Sequence, residues 1–245
     1  MKFVDIVCSN CHKYGYCKEY KELNRKNATK RQPGEPSPIR KCQVAICESD
    51  YAKLRDKDVL EIGCGSSKKG GLIKTIVEKN NCRWVGIDIK KTGLTTYVCS
   101  AERMPFEDCS FDCVIGSQTL EHWKKPDKVL REIHRTLRPD GKVYLTAPIH
   151  LHGQKMFVSG DFDAIEILFV KTGFDIEKIE TWRKQYCDLG PYYHKTAKKY
   201  LRYVKKCQRK SRTANFEKPT IYMIHCILTK KEIVKSSWYQ KLLRK

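Results

Sequence analysis

Val59-Leu-Glu-Ile-Gly63-Cys-Gly65 is a short, mostly apolar run that ends in two glycines one residue apart. A run of this length bounded by turn residues is a strand, and glycines at its tip let the backbone bend sharply and approach a ligand with no Cβ in the way. Strand and helix patterns then alternate. Leu72 to Glu78 predicts a helix, Arg83 to Asp88 a second strand, Thr95 to Val98 a third and Phe111 to Ser117 a fourth. Lys128 to Leu137 predicts another helix, and Gly141 to Thr146 a fifth strand. This alternation implies βαβ units and a parallel sheet with helices on both faces. A helix from Asp161 to Gly173 and strands at Phe174 to Trp182 and Thr220 to Thr229 complete the expectation: a doubly wound, mostly parallel, seven-stranded α/β sheet.

A Gly-x-Gly turn is not specific. The third glycine of a dinucleotide fingerprint would fall at position 68, where the chain has Lys68, so that fingerprint is broken. More informative is Trp84-Val-Gly-Ile-Asp88, a strand that ends in a carboxylate. An acid at the tip of the second strand can accept from both hydroxyls of a ribose, the alternative being a solvated turn aspartate.

The run Ser100-Ala-Glu-Arg-Met-Pro-Phe106, followed by Phe111-Asp-Cys-Val-Ile-Gly-Ser117-Gln-Thr-Leu-Glu-His122, resembles the class I S-adenosylmethionine-dependent methyltransferases of the type 11 branch. Leu137-Arg-Pro-Asp-Gly-Lys-Val143 is similar to the turn that precedes the fifth strand of those enzymes. The resemblance covers about Asp58 to Pro148. It implies Glu61, Gly63 and Gly65 at the methionine end of the cofactor, and Asp88 on the ribose with Ile89 beside the base. It also implies Ala101 and Glu102 near adenine and Ser117 near the reacting sulfonium. Ser100 stands where the family has an acid for the adenine amino group, so that contact is weaker or falls to Glu102.

Methyl transfer from a sulfonium is an in-line displacement on an activated donor, so positioning supplies much of the catalysis. A base is needed only if the acceptor must lose a proton early. His122 after the fourth strand and His150 and His152 after the fifth are candidates, against ordinary structural histidines. His150 is favoured because the loop after the fifth strand faces the acceptor in the family. The same loop, Ile149-His-Leu-His-Gly153, resembles methyltransferases of glycan assembly.

The chain has 245 residues with a formal charge of +21, and the surplus is uneven. Positions 191 to 245 carry 16 basic and 2 acidic residues, whereas the first 190 carry 33 and 26. This asymmetry points to an anionic acceptor or partner, RNA or an acidic or phosphorylated glycan. A basic helical insert at about 183–219 would carry it. There Ala197, Tyr200, Leu201, Val204 and Cys207 fall at helical spacing among lysines, near Tyr186, Tyr192 and Tyr193; a solvated surface helix is the alternative. The rival from another class is a catalytically inactive protein of this fold that binds nucleic acid through its basic C-terminal region.

No apolar run approaches the roughly 18 residues of a membrane span, and the first residues lack a secretory pattern, so a cytoplasmic location is expected. Residues 1–47 read as a Cys-rich appendage, and 48–245 as the α/β domain. Thirteen cysteines without an export signal argue for thiols or metal ligation. Cys8-x2-Cys11-x5-Cys17 with Cys42 suits tetrahedral zinc, leaving an iron-sulfur cluster or unligated thiols as alternatives.

Overall fold

Strand β1 (Asp58–Ile62) sets the architecture because Val59, Leu60, Glu61 and Ile62 are all buried. Successive strand residues point to opposite faces, so a strand buried at four consecutive positions must be covered on both sides. The computed structural model describes residues 38–65, 71–148, 162–183, 191–193 and 222–231. The further strands are β2 (Arg83–Asp88), β3 (Tyr97–Val98), β4 (Phe111–Ser117), β5 (Leu137–Pro148), β6 (Phe174–Arg183), β7 (Pro191–Tyr193) and β8 (Tyr222–Lys230). The helices are α1 (Pro38–Ser49), α2 (Leu72–Lys79), α3 (Pro126–Thr136) and α4 (Phe162–Lys171).

The strands lie in the order β3-β2-β1-β4-β5-β8-β6-β7. β1 to β5 pair in parallel, and β8 runs antiparallel to both β5 and β6. The seven expected strands are therefore present, and three-residue β7 extends the edge beside β6. On one face Leu60, Ile62, Val114 and Leu145 pack against Leu130 and Ile133 of α3 and Phe169 of α4. On the other, Val59, Ile115, Tyr144 and Ile227 pack against Ile46 and Cys47 of α1 and Val77 of α2. Each such aliphatic side chain contributes about 1.5–3 kcal/mol on full burial. Among the described residues no helix is long and apolar enough to cross a membrane.

Helix α1 corrects the expected boundary at residue 47. The last ten residues assigned to the appendage belong to a helix of the core, with Cys42, Ile46 and Cys47 each 1% exposed. Proline is tolerated in a first helical turn, and the i, i+4 spacing of Cys42 and Ile46 puts both on one stripe. That stripe shares the covering of this face of β1, β4 and β5 with α2. Asp50, just beyond α1, lies near the sheet, its Oδ2 3.5 Å from Nδ1 of buried His225 on β8 and 3.8 Å from Nζ of Lys178 on β6.

Candidate active site

Strand order reverses between β1 and β4, and the carboxyl ends of strands at such a switch point open into a crevice. A cleft of about 740 Å³ lies there. Its floor is Glu61, Gly63, Cys64 and Gly65 from β1 and its turn, with Ser117 of β4 and Thr146 of β5. Arg40, Gln43 and Cys47 of α1 and Tyr51 form the opposite wall, and Leu72, Ile73 and Lys90 close the ends.

The two glycines serve different purposes. Both lie in the left-handed region, Gly63 at φ +71° and Gly65 at +67°. A Cβ on Gly63 would meet Cγ2 of Thr119 at 2.3 Å, whereas one on Gly65 would have nothing within 4 Å among the described residues. Gly63 is thus required by packing inside the protein, and Gly65 leaves open space for a ligand.

Asp88, at the tip of β2, accepts the Gly65 amide on Oδ2 at 3.2 Å and the Lys90 amide on Oδ1 at 3.1 Å. Its remaining lone pairs can accept two hydroxyls. Glu61 is 7% exposed and accepts the Trp84 indole N–H on Oε2 at 2.9 Å. Burial pushes its carboxyl up to about 7, with the Trp84 hydrogen bond pulling the other way. At the far side Gln43 donates to Ser117 Oγ at 3.4 Å, and Thr146 Oγ1 accepts the Gln118 amide at 3.0 Å. Cys47 and Cys64 are pushed up by burial to about 12 and about 11, so neither is a thiolate nucleophile at neutral pH.

Ile89 stands 72% exposed beside Asp88, and half-buried Ala101 and Glu102 follow β3; none of the three lines the cleft. Ser100 caps its own turn, its Oγ accepting the Glu102 amide at 3.2 Å. The loop beyond is clamped by α3. Arg135 donates to the carbonyls of Phe106 at 2.7 Å and Met104 at 3.2 Å, and Glu132 accepts the Met104 amide at 2.9 Å.

His122 closes the short turn Leu120–His122 and does not line the cleft; its Nε2 lies 3.6 Å from Glu121. Glu121 is fully buried, which pushes its carboxyl up to about 8. His150, with His152, lies outside the described residues, as do Cys8, Cys11, Cys17 and the helix expected at 195–210. Cys42 is disulfide-bonded and buried, which corrects its assignment as a metal ligand, because a disulfide sulfur is not the thiolate that zinc requires. Among the described residues no group of three or more His, Cys, Asp or Glu is arranged to hold a metal ion.

The site residues that the strand-tip motifs did not reveal are Arg40, Gln43 and Tyr51 across the cleft, together with Thr146 and Lys90. Pro38 followed by the Cys42–Ile46 spacing was the available signal for a helix there. Nothing in the sequence signals that this helix faces β1.

Residues 60–145 match a family model described as "Methyltransferase domain". Over 115 residues the chain is 31% identical to the ubiquinone biosynthesis O-methyltransferase of Pseudomonas aeruginosa, a match covering 40% of this chain and 47% of that protein. The chain thus spans about half the length of the curated relatives it matches. Among solved structures it resembles phosphoethanolamine N-methyltransferase 2 of Haemonchus contortus, solved with phosphomonomethylethanolamine and S-adenosylhomocysteine. That TM-score is 0.51 at 19% identity, covering 78% of this chain and 52% of that one. It also resembles the [4+2]-cyclase SpnF, with a TM-score of 0.53 at 17% identity, covering 79% and 80%. At such identities the likeness is one of fold, and a cyclase on this fold shows that fold alone does not name a reaction.

Proposed function

We propose that the segment from Leu60 to Leu145, which matches the methyltransferase domain model, is a class I methyltransferase domain that binds S-adenosylmethionine in the cleft between β1, β4 and α1 and methylates an anionic or phosphate-bearing acceptor. The observation that carries this reading is the open space above Gly65, with the Asp88 carboxylate bonded to the Gly65 amide beside it. A ribose on Asp88 then directs the methionine portion toward Glu61, where a carboxylate faces an ammonium. Arg40, on the opposite wall, brings a guanidinium suited to the methionine carboxylate. When bound, the cofactor supplies a sulfonium-activated methyl group. The protein's share is to align an acceptor beside Ser117 and Thr146 and to exclude water.

The acceptor is argued from charge. Sixteen of the last 55 residues are basic, which favours phosphates of RNA or of an acidic glycan. Phosphomonomethylethanolamine in the Haemonchus contortus structure adds small phosphate esters to the range worth testing. Zinc on Cys8, Cys11 and Cys17 belongs to the same proposal on the strength of their spacing, with the fourth ligand other than a disulfide-bonded Cys42. The inactive, nucleic-acid-binding alternative leaves the open cleft at Gly65 without a purpose. Calorimetry with S-adenosylhomocysteine, followed by transfer of labelled methyl groups to RNA, glycan and phosphorylated small-molecule pools, tests the reading. A folded protein that binds no S-adenosylhomocysteine would overturn it.

A further inference from the structure

We propose that Trp84 is a positioning residue for the cofactor: its indole N–H holds one oxygen of Glu61 so that the other is presented to the ammonium of the methionine portion. The inference rests on reading the cleft as the S-adenosylmethionine site, and goes beyond it by assigning work to a residue outside the glycine turn.

The geometry begins with sheet register. Trp84 pairs with Val59 and Gly86 with Glu61, so Trp84 sits one pleat repeat behind the acid it must reach. Its ring covers that distance by lying along β2 over Gly86. A Cβ on Gly86 would come within 2.3 Å of Cη2 and 2.5 Å of Cζ2 of the ring. Gly86 is therefore the gap through which the indole passes, and Nε1 arrives 2.9 Å from Oε2 of Glu61. From α2, Lys74 places its Nζ 5.2 Å from the centre of the ring, in cation–π range, and steadies it from outside the sheet. No other described residue bonds to Glu61, so this one hydrogen bond fixes the rotamer of a nearly buried acid in the cleft wall.

A carboxylate that touches a cation must be charged, and burial opposes charge. An indole N–H bonded to the carboxylate favours the ionised form. Among the described residues, the charged side chains facing the same cleft are Arg40 on α1 and Lys90 beyond β2, and its other titratable side chains are Cys47, Tyr51 and Cys64. The two thiols, pushed up to about 12 and about 11, and Tyr51, raised by burial, stay neutral across the range in which Glu61, pushed up to about 7, ionises. Cofactor affinity should then rise with pH through that range, and Trp84 should set where the rise falls.

The test is calorimetric titration of the full chain with S-adenosylhomocysteine from pH 5.5 to 8.5, for the wild type, Trp84→Phe and Glu61→Gln. Trp84→Phe keeps the ring packing and loses the donor. It should bind about tenfold more weakly at pH 7, with its rise in affinity displaced to higher pH, whereas Glu61→Gln should lack the rise altogether. Gly86→Ala, which forces the indole aside, should reproduce the Trp84→Phe displacement and serves if the latter does not fold. A second reading needs neither ligand nor Trp84 variant. Tryptophan emission of the unliganded wild type should titrate with a midpoint near 7, and that transition should be missing in Glu61→Gln. Wild-type binding with an unchanged pH course in both Trp84→Phe and Gly86→Ala overturns the role of Trp84 and leaves the cofactor site standing. Failure of the wild type to bind overturns the site and this inference with it.

Discussion

Replacing each glycine of the turn by alanine should have different consequences for folding and for binding, because both line the cleft but an added Cβ would meet protein at Gly63 and open space at Gly65. Gly63 and Gly65 share a left-handed backbone, so alanine at either costs roughly 1–2 kcal/mol in conformational strain. At Gly63 the new methyl also lies 2.3 Å from Thr119 Cγ2, well inside van der Waals contact, and overpacking of this kind adds roughly 1–3 kcal/mol. Gly63→Ala should therefore lose about 2–5 kcal/mol of stability, and Gly65→Ala only the strain, about 1–2 kcal/mol. Thr119→Ser removes Cγ2 and keeps the hydroxyl. In the Gly63→Ala background it should return the overpacking cost, giving a double-mutant coupling of about 1–3 kcal/mol. Gly65→Ala has no such partner, and its methyl instead enters the cleft and weakens S-adenosylhomocysteine. Urea unfolding followed by circular dichroism measures the first quantity and calorimetry the second. Equal stability losses at the two glycines, or a Gly63→Ala/Thr119→Ser protein no more stable than the sum of its parts, would refute the division of labour.

Asp88→Ala should weaken S-adenosylhomocysteine by about 1.5–3 kcal/mol in a protein that remains folded, through loss of charge-assisted hydrogen bonds, and unchanged affinity by calorimetry would remove the ribose assignment. Glu61 has a folded pKa raised from 4.5 to about 7, so the native state holds its proton more tightly than the unfolded chain. Its contribution is present below pH 4.5 and is lost as pH rises toward 7, a loss of about 3 kcal/mol. Glu121, raised to about 8, has the same sign, so the measurable quantity is the difference between wild type and Glu61→Gln, which should shrink the fall in stability between pH 4.5 and 7. Replacing Lys198, Lys199, Lys205 and Lys206 by Gln should weaken an anionic acceptor and flatten its salt dependence while leaving S-adenosylhomocysteine affinity intact. An unaltered Michaelis constant and salt response for the true acceptor would show those lysines to be a solvated face. Elemental analysis of protein prepared without chelators should find about one zinc, reduced by Cys8→Ser and by Cys11→Ser; protein free of both zinc and iron would leave those cysteines as plain thiols.

The order of strands and helices between Asp58 and Thr146 was legible in the sequence, and so were the tips that carry Gly63, Gly65, Asp88 and Ser117. These are local facts: apolar runs end where glycine or an acid must meet a turn, and βαβ connections bring every such tip to one edge. The resemblance of Ser100–His122 to methyltransferases added the cofactor to that edge. What the sequence did not carry were contacts between residues far apart in the chain. Helix α1 has an apolar stripe readable from Cys42 and Ile46, yet only the folded sheet shows the face of β1, β4 and β5 that the stripe covers beside α2, and hence that Arg40 and Gln43 overlook the cleft. Arg135 looks like an ordinary helix-surface cation until the loop at Met104 and Phe106 is folded against it. The need for glycine at 63 comes from Thr119, and at 86 from the passage of Trp84 toward Glu61. Strand positions follow from short-range pattern, but which side chains fill the space above a glycine depends on the register of paired strands and the course of the loops that follow them, and these are settled only when both layers of helices close on the sheet.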